Sequence, residues 1–158
     1  MIHGYHLIVC LILIIVQTSF LPGGGAIYLY DLLAPFVVYL GIYRPPREAL
    51  PVLLLGGLAM DGISGGVFGV HLTVYIWMYV GVWWAIQFLH VGNSILLPML
   101  VCFAVAFESV VTAFTAIVLA PAAWPMESMF SVVSGQLIWG AVTGPFLVLL
   151  FIKGQNVV

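Results

Sequence analysis

In a chain with only three basic and five acidic side chains, residues 60–71 (MDGISGGVFGVH) bring together an aspartate, a serine, a histidine and four glycines. Asp61, Ser64 and His71 are the residue types from which a nucleophile, its base and an orienting carboxylate are built. Asp61 can also be grouped with Asp31 and Glu108, the other carboxylates set in apolar sequence, as stations for a proton or small cation. The competing role is structural. A carboxylate beside glycines can accept hydrogen bonds from backbone N–H groups that the glycines free, or from Ser64, and so cap the start of a helical segment. The capping role takes precedence, because no Lys or Arg lies within the apolar segments to act as a switching counter-charge. His3 and His6 offer two ligands, too few for a metal centre, and read as interfacial polar residues, so neither a metal nor another cofactor is expected.

The elements that hold these groups must be membrane helices. With 65% hydrophobic and 5% charged residues the chain is not a soluble globule, and its length makes a single domain, residues 1–158. The reading is an all-α integral membrane protein with about six transmembrane helices in one bundle. No basic run is present, which argues against nucleic acid as a partner and leaves the lipid bilayer. Cys10 and Cys102 sit in separate apolar stretches without ligand or redox spacing and are expected to pack. Residues 1–6 lack Lys and Arg, and no small-x-small site follows, so the first apolar run is expected to remain as a helix.

Apolar runs and breaks place the spans at residues 5–21, 26–43, 49–68, 71–89, 95–120 and 128–152. Gln17 closes the first, ahead of a turn at Pro22 to Gly25, and Asp31 lies just inside the second, where it caps the helix or reaches headgroups. Arg44, Pro45, Pro46, Arg47 and Glu48 form the only charged cluster, and the positive-inside rule makes that loop cytoplasmic. Six spans bring Lys153 to the same side, with both termini cytoplasmic. In the third span the apolar run reaches only Met60, so the helix either continues through Asp61 to about Phe68 or breaks there. An aspartate at such a depth is penalised by roughly 2.5–3.5 kcal/mol and needs protein or water around it. Gly65 and Gly69, four apart, predict close approach of another helix. Tyr75, Trp77, Tyr79, Trp83, Trp84 and Phe88 are expected to face lipid and the interface. Glu108, in the middle of the fifth span, needs a partner or a proton. Gly140 and Gly144 form a GxxxG pair, with Gln136 one turn earlier on the same face, which predicts tight packing and a polar bond across it.

Gly62-Ile63-Ser64-Gly65 resembles the GxSG nucleophile motif of rhomboid intramembrane proteases. That mechanism needs a histidine from another helix. The last two spans contain none, His71 is close to Ser64 in the chain, and His90 falls in a cytoplasmic turn. No catalytic residue is therefore expected, and the chain is read as a non-enzyme.

The whole-chain plan is similar to that of the bacterial rod shape-determining protein MreD family. The specific part is Asp-x-x-Ser-Gly-x-x-x-Gly, matched by Asp61, Ser64, Gly65 and Gly69. Around it stand Gln17 before a proline turn, Asp31 opening the second helix, Glu108 within the fifth, and Gly135 ahead of the basic exit Lys153. The resemblance implies a scaffold of the bacterial cytoplasmic (inner) membrane that supports cell-wall elongation and rod shape. Its implied partners are MreC, the RodA glycosyltransferase and the penicillin-binding transpeptidase of RodA. The family is in turn distantly similar to the S components of energy-coupling-factor transporters, which implies that six-helix fold and an alternative role as a vitamin-binding transport subunit. S components usually carry an Ala-xxx-Ala face on the first helix, whereas residues 5–21 contain no alanine.

Overall fold

The computed structural model describes residues 2–20, 31–64, 68–88, 96–119 and 126–155. Among them are six α-helices and no strand: α1 (Ile2–Phe20), α2 (Leu33–Tyr43), α3 (Pro46–Ser64), α4 (Val70–Phe88), α5 (Leu96–Leu119) and α6 (Met126–Gln155). The expected turn at Pro22 to Gly25, Gly65 and His90 lie outside the described residues.

The third helix starts earlier than its apolar run. Pro46 occupies its first position, where no backbone N–H is needed, and the Pro45 carbonyl accepts from the N–H groups of Glu48 and Ala49 at 3.0 and 3.1 Å. It does not break at Asp61 but continues to Ser64. Two stretches are long and apolar enough to cross a membrane, Leu96–Thr115 in α5 and Val133–Gly154 in α6. The apolar parts of α1 and α2 are shorter. In α3 the apolar sequence is interrupted by Arg47, Glu48 and Asp61, and in α4 by tyrosines and tryptophans.

At the centre stands α2. Every residue from Leu33 to Gly41 is buried, as befits a helix that is apolar all round. It packs against each of the other five helices, which follow one another around it in the order α1, α3, α4, α5, α6. The outer faces carry large exposed apolar side chains, among them Leu11 and Ile15 on α1, Leu55 on α3, Phe114 on α5 and Phe146 on α6. Apolar surface on that scale marks contact with lipid or with other proteins.

The aromatic residues of α4 divide between the two sides. Trp77, Trp83, Trp84 and Phe88 are exposed, but Tyr75 and Tyr79 are buried, contrary to the lipid-facing expectation. Their hydroxyls explain the inward turn, because each finds an acceptor inside the bundle, Asp31 for Tyr75 and the Arg44 carbonyl for Tyr79. Cys10 packs in the core, and neither cysteine is in a disulfide.

Close helix approach occurs where a side chain is missing. Gly140 and Gly144 on α6 face Val105 and Val101 on α5, and a Cβ at Gly140 would lie 2.9 Å from Val105. At the α3–α4 contact the tight position is Gly57, where a Cβ would lie 2.6 Å from the Leu72 Cα. Gly69, expected to serve close packing, meets nothing within 4 Å and has φ +95°, so it serves a turn instead. Gly57→Ala should therefore cost about 1–3 kcal/mol through overpacking. Gly62→Ala, with nothing within 4 Å of the new methyl, should be neutral or gain up to about 1 kcal/mol. Thermal unfolding midpoints of the two variants in detergent check this, and equal midpoints would refute the packing assignment.

Candidate functional site

The α3–α4 joint is built on a helix start that needs acceptors. The first N–H groups of any α-helix have no partner within it, and in apolar surroundings water cannot supply one. Gly69 takes a left-handed φ, which suits glycine, and sets the chain so that the N–H groups opening α4 point at the last turn of α3. There Asp61, only 3% exposed, receives them. Its Oδ2 accepts from the N–H of Gly69 at 2.9 Å and of Leu72 at 3.2 Å, and its Oδ1 from the N–H of His71 at 2.9 Å. The His71 ring adds Nδ1 at 3.0 Å from Oδ1. A negative side chain here also complements the positive end of the α4 dipole. The result is a helix cap delivered from the preceding helix.

Ser64 stands apart from this network. It is exposed, and its hydroxyl donates weakly to the Asp61 carbonyl at 3.5 Å, not to the carboxylate and not to His71. The His71 Nδ1 is already committed to Asp61. Ser64 and His71 do not pair with each other, and no group of three or more metal-ligating side chains occurs among the described residues.

A second carboxylate does the same work for α2. Asp31 accepts from the Leu33 N–H at 2.9 Å through Oδ1, and its carbonyl accepts from Ala34 at 3.0 Å. Gln17, from the end of α1, takes the Leu32 N–H on Oε1 at 3.1 Å. The Tyr75 hydroxyl donates to Asp31 Oδ2. Asp31 is thus buried, with the Tyr75 hydroxyl of α4 against its carboxylate, contrary to the expectation that it reaches headgroups. The partner of Glu108 is this same group. The two carboxyls face each other across the bundle, and Glu108 Oε2 is buried without a partner.

Elsewhere, the Ser109 hydroxyl lies 2.9 Å from Gln136 Oε1, a polar bond between α5 and α6 beside the Gly140 contact. His6, expected at the interface, is buried with Nε2 3.5 Å from the Tyr39 hydroxyl. The cause is the ring stack that Tyr39 forms with His6 and Phe36. Arg44 pairs with Glu48 at 3.3 Å, whereas Arg47 and Lys153 are exposed. Gly62 is exposed on α3, and a Cβ at Gly135 would meet nothing within 4 Å.

Sequence reasoning missed Tyr75, Tyr79 and Gly57. The tyrosines carried a usable signal: Val74, Tyr75, Met78, Tyr79 and Val82 are buried at helical spacing on one stripe of α4.

Asp61→Ala should destabilise by roughly 2–3 kcal/mol, since it strands several N–H donors, whereas Ser64→Ala should stay within about 0.5 kcal/mol. A comparable loss in both, read from detergent unfolding, would contradict the capping assignment. At the second carboxylate, Glu108→Gln keeps a polar group of the same shape facing Asp31 and should fold with near-normal stability. Glu108→Ala should lose about 1–3 kcal/mol, and the same unfolding assay distinguishes the pair.

Comparison with protein-family models, curated proteins and solved structures returns no match.

Proposed function

We propose that this chain is a non-enzymatic, multi-pass scaffold of the MreD type in a bacterial cytoplasmic membrane, acting with MreC and the RodA–transpeptidase pair in cell-wall elongation. The observation that carries the reading is the pairing inside the Asp-x-x-Ser-Gly-x-x-x-Gly segment. Its first and last residues, Asp61 and Gly69, are hydrogen-bonded to each other at 2.9 Å, so the spacing of the motif is the spacing of a capped helix joint. A motif of this kind shapes a surface and does not supply a reacting group. The isolation of Ser64 from any histidine favours a scaffold over a serine protease.

Six crossings suit the arrangement of the helix ends. Tyr5 of α1 lies against Gly154 of α6, and Tyr39 of α2 against Phe151, both toward one end. Asp61 with His71, and Gln17 with Leu32, lie at the other. In this reading the first end is cytoplasmic, carrying Arg44, Arg47, Lys153 and both termini.

The test is depletion in a rod-shaped host followed by complementation. Cells should round up on depletion, the intact chain should restore rods and co-purify with MreC, and Asp61→Ala should lose both at matched expression. Rods that persist without the protein would overturn the proposal. A vitamin requirement on depletion, with a thermal shift across a vitamin panel, would establish the transport alternative in its place.

A further inference from the structure

The ring of helices around α2 is not closed. Each of α1–α3, α3–α4, α4–α5 and α5–α6 is a packed pair, but among the described residues α1 and α6 have no Cα atoms within 8 Å of each other. The seam between them is a groove of about 450 Å³. Val9, Ile12 and Leu13 form one wall and Leu150 part of the other, and at one end stand Lys153 and Tyr5, whose hydroxyl lies against Gly154. That end is the one shared with Arg44 and Tyr39, to which Phe151 and Tyr5 connect through ring contacts.

We propose that the α1–α6 seam is a binding site for an anionic phospholipid, with an acyl chain along the apolar walls and the phosphate at Lys153 and Tyr5. Size and charge both select this occupant. A transmembrane helix with its side chains is roughly 10–12 Å across, so a groove of this volume holds only about one turn of it. A single alkyl chain is thin enough to lie along the groove. The walls offer no polar group, so nothing but hydrocarbon is matched along the length of the seam, and the one cation stands where a headgroup would meet it. Lys153 is exposed and the Tyr5 hydroxyl is a donor, a pair that suits a phosphate oxygen. Anionic lipids are concentrated in the cytoplasmic leaflet, the side on which the positive-inside rule puts Lys153. This inference rests on the membrane reading and is independent of the role in wall elongation.

The experiment has two arms on the full chain. In the first, protein in mild detergent is titrated with phosphatidylglycerol or phosphatidylcholine and observed by native mass spectrometry. The chain should retain phosphatidylglycerol preferentially, and Lys153→Gln should reduce that preference by roughly fivefold. Ile12→Trp, which fills the groove, should reduce retention of both lipids, with circular dichroism and gel filtration confirming that each variant is folded. Equal retention of the two lipids by the unaltered chain, or no effect of Lys153→Gln, would overturn the proposal. In the second arm, a photo-reactive phenylalanine at position 12 is activated in native membranes. An adduct with the mass of one phospholipid supports the site. A polypeptide adduct would show that a partner helix occupies the seam, and the absence of any adduct that the seam is empty; either overturns it.

Discussion

A helix that begins away from water must find acceptors for its first N–H groups, and this requirement governs where the polar residues of the chain can be. Two helices, α2 and α4, begin inside the bundle, and each is met by a side chain from the helix before it. Gln17 and the adjoining Asp31 serve α2, and Asp61 serves α4. The consequence is that the costly residues of an otherwise apolar sequence are the ones that fix the order and direction of its helices. Asp61 joins α3 to α4 at one end of the bundle, and the charged loop at Arg44 joins α2 to α3 at the other.

Asp31, Tyr75 and Glu108 extend this logic across the bundle. The Tyr75 phenol connects the start of α2 to α4, and the Glu108 carboxyl of α5 approaches the same group, so three helices converge on one buried polar point. Apolar packing alone would leave these helices free to slide, because it is non-directional. Polar bonds at the Asp31 end and glycine contacts at Gly57, Gly140 and Gly144 set register and distance together.

The features legible in the sequence were those that violate its background. A carboxylate in an apolar run announces a need for partners, so Asp61, Asp31 and Glu108 stood out, and the four-residue spacing of Gly140 and Gly144 identified the face of α6 that meets α5. What could not be read was direction within a uniformly apolar context. Gly56 and Gly57 look like any small residues in a helix, and only the neighbouring Cys10 and Leu72 give them a role. Tyr75 and Tyr79 resemble the tryptophans beside them until the partners of their hydroxyls are known. Gly69 was misread because a glycine four residues from another looks the same on a packing face and in a left-handed turn.

The enclosure of α2 constrains how the protein is made. A helix buried from Leu33 to Gly41 has no exposed face once the fold is complete, yet it is synthesised ahead of four of the helices that surround it. Until α6 arrives, the surface of α2 that meets Phe151 is bare. The native arrangement is therefore reached only once α6 is in place, and a chain lacking α6 would be left with an unsheathed central helix, a ready substrate for quality-control proteases.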